Sequence, residues 1–251
     1  MTTLHAIILG LVEGVTEFLP VSSTGHLILT SALFGIADDP FTKTFEIVIQ
    51  LGAICAVIFL YWRTLVYDRD MIRKILVAFI PTAILGALLY PFIKILLGRP
   101  FVVISALFLG GILLIIVDKF LGRRLTTPTI SYRQACGVGI FQALAFIPGV
   151  SRAAATIIGG ELLGVSRQTI VQFSFLLAIP TMLAATALDI AKNTVLFGSQ
   201  SIVLLGIGGL VAAFAAMYTI KLFLTYMERG SFVVFGVYRI ILALLWLIFV
   251  G

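Results

Sequence analysis

Long apolar stretches alternate with short polar ones along the chain. Apolar runs cover about 45–62, 72–95, 101–118, 168–190, 202–226 and 231–250. Each is close to or beyond the ~20 residues a helix needs to cross a hydrocarbon core of about 30 Å. Two further apolar regions, 4–35 and 132–163, are each cut near the middle by a proline beside small and polar residues. The first cut reads Phe18-Leu-Pro20-Val-Ser22-Ser-Thr-Gly25-His26, and the second reads Phe146-Ile-Pro148-Gly-Val-Ser151-Arg152. Proline ends the helix before it and starts the next one. Such a break at membrane depth is tolerated only where protein or a cavity surrounds it. The pattern predicts an all-α polytopic membrane protein with six full transmembrane helices plus two re-entrant helix pairs.

Composition agrees. Hydrophobic residues make up 61% of the 251, and only 28 (17 basic, 11 acidic) are charged. A soluble domain carries about 25% charged residues, so that class is excluded, as are disordered and disulfide-framed chains. The formal charge of +6 is spread singly or in pairs, with no arginine-rich run, and predicts no nucleic acid partner. Cys55 and Cys136 sit within apolar stretches and behave as small hydrophobes. The N-terminus lacks the basic region and cleavage site of a removable signal peptide.

The basic residues set the expected topology. If both broken regions re-enter, segments 63–74, 119–133, 164–168 and 221–230 share one side. They hold eleven basic residues: Arg63, Arg69, Arg73, Lys74, Lys119, Arg123, Arg124, Arg133, Arg167, Lys221 and Arg229. The other side holds four, Lys43, Lys94, Arg99 and Lys192. That asymmetry makes the first side cytoplasmic and turns both termini outward. Arg152 and Arg239 have no loop to occupy.

A repeat supports this arrangement. Pro20 and Pro148 are 128 residues apart, as are Phe45 and Phe173. Gly10-x-x-Glu13 resembles Gly139-x-x-Gln142 with one residue of slip, and the proline spacing sets Ser23 in register with Ser151. One membrane domain, 1–251, then divides into halves of about 1–125 and 126–251. Each half has a hairpin and three crossings, and an odd number of crossings makes an inverted-topology repeat.

A charge at the bilayer centre costs at least about 2.5–3.5 kcal/mol, so those left inside the membrane are functional candidates. They are Glu13, Glu17, Glu46, Arg152 and Arg239. Glu13 and Glu17, four apart, share one helix face, where two carboxylates repel unless a cation or a shared proton lies between them. The structural alternative is a carboxylate pair bonded to Arg152 or Arg239. Helices opening at Ser22-Ser23-Thr24-Gly25 and at Gly149-Val-Ser151-Arg152 present free N–H groups and positive dipole ends. Meeting near the midplane, they would form a cup for phosphate, although each serine could equally be a helix cap. His26 is a candidate proton shuttle, nucleophile or metal ligand. Thr156, a turn beyond Ser151 and Arg152, either joins the cup or back-bonds to its own helix. Gln50 shares a face with Glu46, while Glu161 and Asp189, near segment ends, are expected in solvated or interfacial positions.

Glu13-Gly-Val-Thr-Glu17-Phe-Leu-Pro-Val-Ser-Ser-Thr-Gly-His26 and Pro148-Gly-Val-Ser-Arg152 resemble the undecaprenyl-diphosphate phosphatases, also called bacitracin resistance proteins. The resemblance extends through Lys43-Thr-x-Glu46-x-x-x-Gln50-Leu-Gly to Tyr238-Arg239 and covers nearly the whole chain. It implies a hydrolase that removes one phosphate from a polyprenyl diphosphate lipid. Such an enzyme recycles the carrier for peptidoglycan and confers bacitracin resistance. It would be multi-pass in the bacterial cytoplasmic (inner) membrane, with its site opening to the outer, periplasmic side. The resemblance also implies a divalent cation, Mg²⁺ or Ca²⁺, at Glu13 and Glu17. It gives catalytic roles to Glu13, Glu17, Ser23, His26 and Arg152. Substrate binding falls to Ser151, Thr156 and Arg239, to which the residue reading adds Ser22 of the cup and Glu46 and Gln50, which could line the cavity. A homodimer is compatible with it. The chain departs from the family pattern Ser-Arg-Ser-Gly-x-Thr in reading Ser151-Arg152-Ala153-Ala154-Ala155-Thr156.

Attack on a diphosphate requires its charge to be neutralised, here by the cation, the two arginines and the helix N-termini. Ser23, His26 or a water is the attacking group. The competing class is an inverted-repeat transporter or lipid flippase, which shares the broken helices. An intramembrane serine protease is a more distant alternative.

Overall fold

The computed structural model describes residues 1–97, 99–121, 127–192, 199–228 and 230–250; among them the chain is helical and has no β-strand. Arg123, Arg124 and Arg229 of the charge count, and the expected 125/126 boundary, lie outside the described residues. The first hairpin is α1 (Thr3–Thr16) and α2 (Ser23–Leu33), followed by α3 (Pro40–Val48), α4 (Gln50–Leu60), α5 (Trp62–Tyr67), α6 (Arg69–Leu97) and α7 (Pro100–Leu121). The second is α8 (Tyr132–Gln142), a 3-10 turn (Ala143–Phe146) and α9 (Arg152–Leu162), followed by α10 (Arg167–Lys192), α11 (Ser199–Met227) and α12 (Val233–Val250). Among the described residues, five segments are long and apolar enough to cross a membrane: Pro40–Leu60, Arg69–Ile93, Pro100–Phe120, Arg167–Ala191 and Ser201–Met227. Val233–Ile248 is apolar and shorter.

The hairpin helices are too short to cross. The 14 residues of α1 span about 21 Å at 1.5 Å per residue. Each pair returns to the end from which it started. His5, near the start of α1, stacks on Phe34 just after α2, with ring centroids 4.7 Å apart. Gln134 in the first turn of α8 donates to Leu163 O at the end of α9, at 3.0 Å.

Contacts also join the four segments that sequence placed on one side. Tyr132 donates to Asp70 at 2.7 Å, Thr127 N–H reaches Gly164 O at 2.9 Å, and Arg167 donates to Gly230 O at 3.2 Å. Arg167 also pairs with Asp118 and Glu161, each at 2.7 Å. Of the solvated or interfacial positions expected for Glu161, the solvated one does not hold: it is buried beside Arg167, which supplies the cation that offsets its desolvation.

Related contacts recur in the two halves. Helix α1 packs on α11, and α8 packs on α6; α7 packs on α12. A methyl placed on Gly111 would lie 2.6 Å from Gly236 O, and one on Gly236 would lie 2.6 Å from Gly111 O. The backbones of α7 and α12 therefore approach through a reciprocal contact that only residues without a Cβ permit.

The register of the two breaks differs by one from the sequence expectation. The residues in equivalent places are Ser22 and Ser151, 129 apart, not Ser23 and Ser151. Both are N-caps with positive φ, 73° and 74°, and both accept from the N–H three residues on. The second break has one more residue between its proline and its serine, the positive-φ Gly149, so the prolines stand one residue out of the 129-residue register shared by Glu13–Gln142 and Ser22–Ser151.

Candidate active site

The site is built where the two breaks meet. Helix α1 approaches α11 closely: a methyl on Gly10 would lie 2.5 Å from Gly208 O, and one on Gly14 would strike Ala212 O. That contact seats Glu13 and Glu17 inside the protein, 0% and 5% exposed. Pro20 then stands in a turn, and Ser22, held at positive φ, starts α2. A non-glycine residue in this backbone region costs of order 1–3 kcal/mol, and such strain clusters at functional sites.

Glu17 is the hub. Its Oε2 accepts a short hydrogen bond from Ser23 Oγ, and its Oε1 accepts from Arg152 Nε and Nη2, both at 3.4 Å. One carboxylate thereby joins a hydroxyl of the first hairpin to the guanidinium of the second. Arg152 Nη1 donates to Ser174 O at 2.6 Å, and its guanidinium lies 5.7 Å from the Phe18 ring centre. The pair is almost fully buried, so neither charge is supported by bulk water.

A cavity of about 180 Å³ opens beside this pair. Glu17, Ser22, Ser23, Thr24, Ser151 and Arg152 form its polar wall, with Gln50, Gln142 and Thr181 also lining it. Ala145, Phe146, Met182 and Ala185 make the rest apolar. The first turns of α2 and α9 add backbone N–H groups, since helix starts leave these without intrahelical partners. Hydroxyls, a guanidinium and free amides on one wall suit a phosphate, and the apolar wall suits a lipid.

The other expected residues lie elsewhere. Glu13 lies against the Glu17 carboxylate, and neither of its buried oxygens has a donor for a hydrogen bond. Glu46 is near Ser31 and does not line the cavity. His26 turns to α12, with Nδ1 2.8 Å from Ser22 O and Nε2 2.7 Å from Tyr238 OH. Thr156, for which the sequence left the cup or a back-bond to its own helix open, is buried: it back-bonds to Arg152 O at 2.9 Å, meets Ser174 Oγ at 2.6 Å and is not among the residues that line the cavity. Arg239, expected at the substrate, donates only to backbone carbonyls, because it lies behind the breaks and outside the cavity wall. Ala153 and Ala154, where the chain departs from the family pattern, are buried in α9 away from the cavity.

Sequence reasoning gave no site role to Ser174, Gln142, Thr181 or Tyr238, although Gln142 stood in the repeat and Tyr238 beside Arg239 in the family motif. The repeat contained a signal for two of them. Ser174 stands 128 residues after Glu46, and Gln142 stands 129 after Glu13. Thr181 and Tyr238 have no such mark.

Two buried carboxylate oxygens without partners, beside a second carboxylate, fit a divalent cation, which takes oxygen donors. Among the described residues no group of three or more His, Cys, Asp or Glu gathers. The protein would thus supply two carboxylates, and phosphate and water the remaining ligands, as Mg²⁺ commonly accepts.

The family model for bacitracin resistance protein BacA matches residues 6–245. The chain is 49% identical to the undecaprenyl-diphosphatase of Wolinella succinogenes, over 99% of this chain and 98% of that one. It is 46% identical to the undecaprenyl-diphosphatase of Aquifex aeolicus, over 99% of each chain. The corresponding figure for Bdellovibrio bacteriovorus is 46%, over 99% and 96%. The chain belongs to the BacA family of multi-pass membrane enzymes. The transporter alternative is not favoured by these relationships.

Proposed function

We propose that this protein hydrolyses undecaprenyl diphosphate to undecaprenyl phosphate and inorganic phosphate, and that Ser23 is the attacking group. The observation that carries the reading is the chain of contacts from Ser23 through Glu17 to Arg152 on the wall of one cavity. Glu17 Oε2 accepts the hydroxyl proton as Ser23 Oγ bonds to the terminal phosphorus and the bridging P–O bond breaks. The leaving group is the lipid monophosphate. Glu17 releases that proton as the monophosphate departs; as a carboxylate again, it takes a proton from the water that displaces the phosphate and returns it to Ser23 Oγ. Arg152 and the N–H groups of Ser151 and of the α2 and α9 first turns hold the phosphoryl oxygens. Glu13 and Glu17 would hold Mg²⁺ or Ca²⁺, which when bound neutralises phosphate charge. The apolar wall of Phe146 and Met182 faces the prenyl end.

The same reading places the protein in the bacterial inner membrane with the site opening outward. The excess of basic residues in the four joined segments supports that sidedness. It also treats the chain as one domain of two inverted halves, supported by the reciprocal Gly111–Gly236 contact. One chain supplies all these site residues, so a homodimer is not needed to complete the site.

Phosphate release from undecaprenyl diphosphate by purified protein tests the activity, and no release overturns it. Single turnover with substrate labelled in the terminal phosphate tests the attacking group. Label on Ser23 is expected; label leaving directly as phosphate rejects the covalent route. Calorimetric titration with Mg²⁺ or Ca²⁺ tests the carboxylates, and binding that survives Glu13→Gln with Glu17→Gln removes them as ligands.

A further inference from the structure

Arg239 is 0% exposed and forms five hydrogen bonds, all to backbone carbonyls. Its Nε donates to Leu107 O at 3.3 Å and its Nη2 to Ala106 O at 3.0 Å, both in α7. The remaining bonds go to the breaks: Nη1 reaches Pro20 O at 3.2 Å and Val150 O at 2.9 Å, and Nη2 reaches Gly149 O at 2.8 Å. A guanidinium has five N–H donors. No carboxylate pairs with it among the described residues, so only carbonyl dipoles offset its buried charge.

The carbonyl and the following N–H of a trans peptide point in opposite directions. Drawing Val150 O toward Arg239 therefore turns Ser151 N–H away from it. Ser151 lines the cavity and Arg239 does not, and Ser151 N–H donates to no backbone carbonyl among the described residues. Gly149, at φ 95°, lets the second break settle on α7, where a Cβ would lie 2.6 Å from Val103 O.

We infer that Arg239 is a positioning residue that ties both breaks together from behind and aims the amide of Ser151 at a phosphate it never touches. This rests on the proposed diphosphatase reading. Its charge acts on the cavity through oriented peptide groups, which cost no reorganisation when substrate arrives.

Gly110 offers a test that leaves Arg239 in place. A methyl there would strike Arg239 Nη2 and lie 2.8 Å from its Cζ, displacing the guanidinium without changing charge. Gly111→Ala is the control: its methyl would lie 2.6 Å from Gly236 O and 2.9 Å from Ile240, disturbing helix packing and meeting only the Cβ of Arg239. Arg239→Lys keeps the charge with three donors. Each variant is compared in detergent for kcat and KM on undecaprenyl diphosphate, for binding of methylenediphosphonate by calorimetry, and for thermal midpoint. Gly110→Ala and Arg239→Lys should each lower kcat/KM by about 10²-fold and weaken diphosphonate binding, beyond what their midpoints explain. Gly111→Ala should lower the midpoint while retaining diphosphonate binding. Losses that follow the midpoint alike in all three variants overturn the inference, as does wild-type diphosphonate binding in the first two. If the wild-type protein releases no phosphate, the functional reading fails, and diphosphonate binding still decides the role of Arg239.

Discussion

The two hairpins share a backbone and differ in chemistry. Each turns at a proline and caps its second helix with a positive-φ serine. In register, Glu13 meets Gln142, Glu17 meets Phe146, Ser23 meets Arg152 and His26 meets Ala155. The first hairpin has become acidic with a hydroxyl to activate, and the second basic with an apolar wall. A shared scaffold thus brings two helix starts to one cavity, while unlike side chains make that cavity asymmetric, as attack on one phosphorus of two requires.

The largest test of this division is Arg152→Ala. It should cut phosphate release by about 10³-fold, since it removes a phosphate donor and leaves Glu17 buried without its cation. Retention of near-normal turnover would detach the second hairpin from catalysis. Next, Ser23→Ala should cost about 10²-fold or more in kcat, whereas Ser151→Ala should cost mainly a cap, about 1 kcal/mol of stability, with a smaller rise in KM. Equal effects on kcat would erase the proposed difference in role. A double-mutant cycle of Glu17→Gln and Arg152→Gln should show a coupling of about 0.5–3 kcal/mol in kcat/KM, and additivity would place the residues in separate functions. The smallest effect is expected from glycine at Ser22 or Ser151. Relief of positive φ should outweigh the lost cap, so the thermal midpoint in detergent should hold or rise by an amount worth up to about 1 kcal/mol. A clear drop in both variants would show that the hydroxyl, not the backbone, governs the break.

Much of this was legible along the chain. A polytopic all-α protein follows from long apolar runs, and the breaks follow from prolines beside serine and glycine. Proline alone was no guide: Pro81, Pro91 and Pro180 lie inside α6 and α10, which continue through them. What distinguishes Pro20 and Pro148 is the run of small and capping residues behind each. The charges left inside the membrane marked the region of the site, because burying a charge is costly enough to need a reason. Relative placement was less legible. Counting from the prolines misplaced the serine register by one residue, and a one-residue slip decides which side chain faces which.

The sequence by itself determined the membrane class, the paired breaks and the short set of charges that had to lie inside. Hydropathy and cost of charge burial are properties of a residue and its neighbours in the chain, so they can be read locally. Only the tertiary structure decided that Glu17 joins Ser23 to Arg152, that Thr156 bonds to Ser174, and that Arg239 bonds to carbonyls behind the cavity. Those pairings cross up to 219 residues. They depend on how helices cross and which carbonyls a long side chain can reach, geometry that no local pattern encodes.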